Sequence, residues 1–463
     1  MREATMRLRL MGTGGAGTRV RVSWRTTYTR RIERRTERRR LTGGEPLGFR
    51  AQAVEKSEGG DNEEQANRLA VKKSWRRLIL WSRVKQDMEQ ETEEKLEQKV
   101  SKLCIFGAGS FGTAIACLLA KKYAHAKVYV VVRNEEQCES MNVEHRNPRY
   151  LTTYTLPDNV IATLDAKQAL EGCQYIVHAI PVQASTSFLN MVKDNVPKNV
   201  PVVSVSKGLE VGTGITMHQV LERALGKDQP LVALSGPSFA KEVMEGLPTN
   251  LVAAAEDENH ARAIQQLFAS PTLRVNTTRD VMGVEIGGAL KNVVAIAAGI
   301  VDGLGLGNNA LSALVAQGTA EIRWLAVRMG AESSTITGVA GVGDIMLTSF
   351  VNLSRNRTVG VRLGQGEKLE DILSSTTQVA EGVKTAQVVI ALARKYNLIL
   401  PVLTAVAQVV DGQLSAKEAV DTVMKFPQID DVEEGFDFYK EFSSSSSHSP
   451  PSTPAEKNEL TGV

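Results

Sequence analysis

Residues 102–122 constrain the fold of this 463-residue chain more than any other stretch. Lys102–Phe106 (KLCIF) is a short apolar run. It leads into Gly107-Ala108-Gly109-Ser110-Phe111-Gly112, after which Phe111–Lys122 carries apolar residues at helical spacing. A strand, a G-x-G-x-x-G loop and a helix in that order are the context in which such a loop holds a dinucleotide. Gly107 permits the tight turn, Gly109 leaves the backbone open to a pyrophosphate, and Gly112 lets the helix pack close to the strand. The helix N-terminus then offers unpaired N–H groups and a partial positive charge. With 38 glycines in the chain, the loop pattern alone could arise by accident, so the flanking strand and helix carry the reading.

Further short apolar, β-branched runs follow at Lys127–Val132, Tyr175–Ile180, Val202–Ser206 and Leu231–Leu234, separated by helical stretches. Strands alternating with helices need crossover connections. The expected fold is therefore an α/β Rossmann domain, a mostly parallel doubly wound sheet with helices on both faces. After about Val281 the strand signals fade, and Ala/Val/Leu-rich helical spacing runs to about Met424, which predicts an all-α C-terminal domain. The expected layout is an N-terminal extension at 1–100, a dinucleotide-binding domain at 101–280, a helical substrate-binding domain at 281–440 and a disordered Ser/Pro tail at 441–463. No internal repeat is evident.

Hydrophobic residues at 42% and charged residues at 23% suit a soluble protein with a sizeable core. The net charge of +3 is unevenly placed: residues 1–50 hold 14 Arg and no Lys against four acids, so the rest of the chain is net acidic. An acidic body argues against nucleic-acid binding, which needs a basic face. The Arg-rich head lacks an apolar core of the secretory kind. It partly fits an organelle transit peptide, although Ser23 is its one serine. The expectation is a cytoplasmic protein, or a plastid or other organellar one if the extension acts as a transit peptide. Asp87–Val100 reads as a solvated helix. Cys104, Cys117, Cys138 and Cys173 lack CxxC spacing, so reduced thiols and no metal site are expected. The longest apolar stretch, Val281–Leu306, is interrupted by Glu285, Lys291, Asn292 and Asp302, which argues against a membrane span.

Candidate chemistry gathers at a few points. Arg133 stands where an acid would grip a ribose hydroxyl; an arginine there suits a 2′-phosphate or stacks on adenine, so NADP is allowed and NAD is not excluded. Lys207, in Ser206-Lys207-Gly208, falls at the carboxyl end of a strand, where open sheets bind ligands. Lys291 sits in Gly287-Gly288-Ala289-Leu290-Lys291-Asn292-Val293, inside an apolar helix, where desolvation brings its pKa toward the range of proton transfer. Asp344 is framed by glycines in Gly341-Val342-Gly343-Asp344, either approaching a ligand or capping its own turn. Ser354-Arg355-Asn356 puts a fork donor beside an amide and a hydroxyl, a combination suited to a phosphate. Gly236-Pro237-Ser238-Phe239-Ala240 is a turn or a crevice loop. His178 and His218 read as structural.

Together with Ala380-Glu381-Gly382, these motifs occur in one order over about Ser101–Lys425, and in this they resemble the NAD(P)-dependent glycerol-3-phosphate dehydrogenases of the bacterial type also found in plants. The resemblance implies a two-domain enzyme that reversibly reduces dihydroxyacetone phosphate to sn-glycerol 3-phosphate with NADH or NADPH. It further implies a homodimer. By resemblance Lys291 is the general acid/base. Lys207 contacts both cofactor and substrate, and Gly236, Ser238, Asp344, Ser354, Arg355 and Asn356 contact substrate. Ser110, Phe111, Arg133, Ala240, Arg355, Val379 and Glu381 lie on the cofactor side. Asp344 either orients Lys291 or bonds a substrate hydroxyl. The head and tail have no counterpart in the bacterial enzymes.

Overall fold

The computed structural model describes residues 68–83, 98–376 and 380–425. The Arg-rich head at 1–50, most of the helix expected at 87–100, Val379 and the Ser/Pro tail at 441–463 lie outside the described residues. Residues 68–83 form a helix, and the described residues from 98 onward belong to a separate unit.

Eight strands form one sheet: β1 Lys102–Phe106, β2 Lys127–Val131, β3 Val160–Thr163, β4 Tyr175–His178, β5 Val202–Ser204, β6 Leu231–Ser235, β7 Thr249–Ala254 and β8 Leu273–Thr278. Their order is β3-β2-β1-β4-β5-β6-β7-β8, and every pair is parallel except β6 with β7. The central strands are buried on both faces; β6 is buried at all five residues. This is why β1, β2, β4, β5 and β6 read as unbroken apolar runs. β3, β7 and β8 escape such a reading. In β8 (LRVNTT) buried Leu273 and Val275 alternate with exposed Arg274 and Asn276, as on the outermost strand of a sheet. β5 ends at Ser204, two residues before the run predicted from sequence, so Ser206 and Lys207 stand on the loop beyond it. The chain runs β1 to β2 to β3 on one side and then returns to β4 on the other. That reversal makes a crevice at the carboxyl ends of β1 and β4.

Beyond β8 the described residues are helical to about residue 425. The helices that matter below are α1 Ser110–Lys122, α2 Glu135–Val143, α3 Met217–Leu225, α4 Ala240–Glu245, α5 Val281–Gly303, α6 Gly307–Arg328, α7 Asp344–Phe350, α8 Arg355–Gly364, α9 Glu381–Tyr396 and α10 Pro401–Val410. α5 is long and apolar enough to cross a membrane, yet it is buried inside the fold and forms the axis of the helical core.

Two pairs of glycines decide how α5 meets α8. Gly299 and Gly303 face Gly360 and Gly364, each pair spaced four residues apart and hence on one helical face. A Cβ on Gly299 would stand 2.7 Å from Val361 N and 2.8 Å from Gly360 Cα, so backbone meets backbone with no room for a side chain. Two carboxylates, buried Glu321 and half-buried Glu285, fasten other helices. Glu321 on α6 accepts from Val402 N and Leu403 N, both at 2.9 Å, at the start of α10. Glu285 on α5 accepts twice from His218 N, at 2.9 and 3.0 Å, in the first turn of α3. Each satisfies helix N–H groups that have no intrahelical partner.

Candidate active site

Lys291, Asp344 and Lys207 form one buried charge chain. Lys291 Nζ donates to Asp344 Oδ1 at 2.6 Å and to Thr348 Oγ1 at 2.9 Å. Lys207 Nζ donates to the other carboxylate oxygen, Asp344 Oδ2, at 2.6 Å and to the Gly236 carbonyl at 3.0 Å. Asp344 is fully buried, and Lys291 is 8% exposed. The two lysines come from opposite layers, Lys207 from the loop after β5 and Lys291 from mid-α5. Small residues permit the approach. A Cβ on Gly288 would come within 2.8 Å of Ser235 Oγ and 3.6 Å of Lys207 Cγ, and one on Gly287 within 3.3 Å of the Ala340 carbonyl. A single π-turn at Val339–Gly343 delivers Asp344 to the start of α7. Thr348, one turn further on, donates to the Asp344 carbonyl at 2.7 Å and so keeps its lone pairs toward Lys291.

The charges shift one another in a definite sense. Burial pushes the Lys291 ammonium down to about 8; Asp344 resists that shift and Lys207 adds to it. Burial opposes ionisation of Asp344, but the two ammonium groups outweigh it and hold the carboxyl below the usual range. Burial pushes Glu381 up to about 7 against the pull of Arg355, Lys207 and Lys291. A lysine near neutrality, held by a carboxylate and aimed from a helix, is the arrangement proton transfer requires.

Around this chain lie the other expected residues. Ser238 Oγ donates to the Gly236 carbonyl at 3.1 Å, and Gly236 itself has φ +143 beside the backbone of Asn250 and Leu251. Ser354 Oγ caps α8, accepting from Arg357 N at 3.3 Å. The Asn356 amide bridges two helices: its Nδ2 donates to Asn292 Oδ1 at 2.9 Å and its Oδ1 accepts from Gly382 N at 3.0 Å. One amide hydrogen of Asn356 remains for a ligand. Arg355, the first residue of α8, is exposed and has no hydrogen bond or ion pair among the described residues. The neighbouring Arg357 is committed instead to the Ser349 carbonyl, Asn352 and Asp302. Ala240 opens α4 and Glu381 opens α9.

The glycine loop has the shape its sequence requires. Gly107 has φ +98, and a Cβ there would meet the Ala179 carbonyl at 2.9 Å. A Cβ on Gly112 would strike the Gly107 carbonyl, whereas one on Gly109 would meet nothing within 4 Å. α1 starts at Ser110 without a side-chain cap, which leaves its first N–H groups for an anion. The residues present thus fit a dinucleotide pyrophosphate. Arg133 is exposed just past β2. His178 is buried between layers, with Nδ1 3.3 Å from Ser206 Oγ, and burial lowers its pKa to about 4.

The comparisons with known proteins agree with this geometry. The N-terminal pattern of the NAD-dependent glycerol-3-phosphate dehydrogenases matches residues 102–261, and their C-terminal pattern matches residues 280–421. The chain belongs to the NAD-dependent glycerol-3-phosphate dehydrogenase family. Among relatives, a chloroplastic glycerol-3-phosphate dehydrogenase of Arabidopsis thaliana is 53% identical over 372 residues, 80% of this chain and 88% of the relative. The Myxococcus xanthus glycerol-3-phosphate dehydrogenase [NAD(P)+] is 43% identical over 322 residues, 69% of this chain and 96% of the relative. The crystal structure of the Coxiella burnetii enzyme superposes with a TM-score of 0.68 at 34% identity, covering 71% of this chain and 99% of that one. The family is an oxidoreductase family using NAD(P), and this chain carries its Rossmann-like and helical parts.

Sequence reasoning missed Thr348. Its spacing of four from Asp344 on α7 is the signal that could have found it, since residues so spaced share a face.

Proposed function

We propose that this chain reduces dihydroxyacetone phosphate to sn-glycerol 3-phosphate, reversibly, with Lys291 as the group that gives and takes the proton on the C2 oxygen. The observation that supports this reading best is the Lys207–Asp344–Lys291 chain at the carboxyl edge of the sheet, with Glu381 in the field of Lys207, Lys291 and an uncommitted Arg355. The nicotinamide, when bound, supplies the hydride. The glycine loop and Arg133 hold the dinucleotide. Lys291 delivers its proton to the oxygen that becomes negative as the ketone is reduced. Lys207 adds a second positive charge near that oxygen. Asp344 orients both lysines and keeps Lys291 from losing its proton too early. Arg355, Asn356 and Ser354 hold the phosphate, Arg355 by its fork, and Gly236 and Ser238 close the other side. Ala240 and Glu381 line the cofactor side.

The test is direct. Full-length protein, NADH or NADPH and dihydroxyacetone phosphate should consume the reduced cofactor, while dihydroxyacetone without phosphate should be turned over far more slowly. No turnover with either cofactor would sink the proposal, and equal rates on both ketones would remove the phosphate role of Arg355. We further propose residence in a plastid rather than in the cytoplasm, a reading supported by the relatives in Arabidopsis thaliana and rice, both named chloroplastic. A fluorescent fusion of residues 1–100 that stays in the cytosol would overturn it. A homodimer is the proposed assembly, to be checked by sedimentation.

A further inference from the structure

The loop that holds the pyrophosphate is itself held from behind. The carbonyl of Ala108, in the middle of the glycine loop, accepts three hydrogen bonds: from Asn147 Nδ2 at 3.0 Å, from Gln137 Nε2 on α2 at 3.2 Å and from Thr113 Oγ1 on α1 at 3.3 Å. Asn147 is the centre of this cluster. Its second amide hydrogen goes to Thr113 Oγ1 at 2.8 Å. Its Oδ1 accepts from Gln137 Nε2 at 3.1 Å and from the backbone of Arg149 and Tyr150 at 3.1 and 3.2 Å. Asn147 and Thr113 are fully buried and Gln137 is 6% exposed. Both donors and the acceptor of the Asn147 amide are thus in use.

Peptide geometry turns this cluster into a statement about the ligand. A trans peptide points its C=O and its N–H in opposite directions, and the chain has no cis peptide among its described residues. Drawing the Ala108 oxygen into the fold therefore aims the Gly109 N–H outward. That N–H has no partner among the described residues, and the space in front of Gly109 is open. If the peptide flipped, a carbonyl oxygen would face the phosphates and repel them.

We propose that Asn147 is the positioning residue of the cofactor loop: it fixes the Ala108–Gly109 peptide so that an N–H rather than a carbonyl meets the pyrophosphate. Thr113 and Gln137 share the task. The inference rests on the reading that this loop holds the dinucleotide.

The experiment uses full-length protein with NADH itself as the probe, followed by its fluorescence and by steady-state kinetics. Asn147→Leu, close in size but without donors, should raise both the Kd and the KM for NADH at least tenfold. The KM for dihydroxyacetone phosphate, and kcat at saturating NADH, should stay within threefold of the parent. Thr113→Val, which loses one of the three donors to Ala108, should show a smaller rise, and Thr113→Ser should restore parent affinity. If Asn147→Leu does not fold, the Thr113 pair decides. An unchanged NADH Kd in a folded variant overturns the proposal. So does a proportionate rise in both KM values, which would mark general structural damage. A parent protein that fails to bind NADH would instead overturn the underlying reading of the loop.

Discussion

Gly360→Ala sets two physical effects against each other. In a helix interior alanine is favoured over glycine by about 1 kcal/mol, so at an open position the change would stabilise. At 360 the new methyl would collide with the Ile296 carbonyl oxygen and come within 2.9 Å of Ile296 C and Gly299 Cα. These are backbone atoms of a buried helix and cannot swing aside. Relief requires α5 and α8 to part by a large fraction of an ångström. Overpacking of this kind costs about 1–3 kcal/mol. The parting also weakens dispersion contacts along the whole crossing, since a gap of about 0.5–1 Å forfeits a quarter to a half of each. Geometry outweighs propensity, and the expected net effect is a loss of about 1–3 kcal/mol. Urea unfolding of parent and variant measures it as a lower midpoint at unchanged slope. The same displacement moves Asn356 away from Asn292, so the KM for the phosphorylated ketone should rise. A midpoint equal to or above the parent's would refute the argument, because it would mean that the two backbones are not in contact.

Three further outcomes follow from the site and the core. Lys291→Ala should cut turnover by about 10²–10⁴-fold, the range of general acid–base catalysis, with NADH affinity nearly unchanged; a variant that keeps its turnover would remove the residue from the chemistry. With Lys291 as the proposed proton donor, kcat/KM for reduction should fall as pH rises through about 8, while in the oxidative direction it should rise through the same value. Asp344→Asn removes the group that opposes the downward shift, so both breaks should move to lower pH; a break that stays in place would deny the coupling. Glu321→Leu strands two buried N–H groups at the start of α10 and should cost about 2–6 kcal/mol in urea unfolding with the active-site pH profile unaltered.

How much of this was legible in the chain depends on distance along it. The glycine loop, β1 and α1 form a local unit, in which Gly112 answers to the Gly107 carbonyl five residues earlier and Gly109 to the ligand, although Gly107 also answers to Ala179 on the neighbouring strand's loop. Lys291 was legible because Gly287 and Gly288 before it and Val293–Ile300 after it mark a lysine without solvent. Its partnership with Asp344 was not, because the two are 53 residues apart and only the fold brings them together. From its residues Asp344 either approached a ligand or capped its own turn, and by resemblance it oriented Lys291 or bonded a substrate hydroxyl; the geometry shows its carboxylate shared between two lysines. Asn147 gave no sign at all, since the carbonyl it holds lies 39 residues earlier. β8 was hidden for another reason: it is the outermost strand on its side, and its exposed Arg274 and Asn276 break the apolar run that a central strand displays.

The charge count of the buried chain has a consequence for how the molecule holds together. Lys207 and Lys291 bring two positive charges and Asp344 one negative, which leaves an excess of one where water is largely excluded. In the proposed reading a phosphorylated ligand brings negative charge to this excess. It does so across the seam between sheet and helices, because Lys207 belongs to one and Lys291 and Arg355 to the other. Substrate is thus also a fastener. An anion at a hundred times its dissociation constant adds about 2.7 kcal/mol to the folded state, and here that energy falls on the joint on which the chemistry depends.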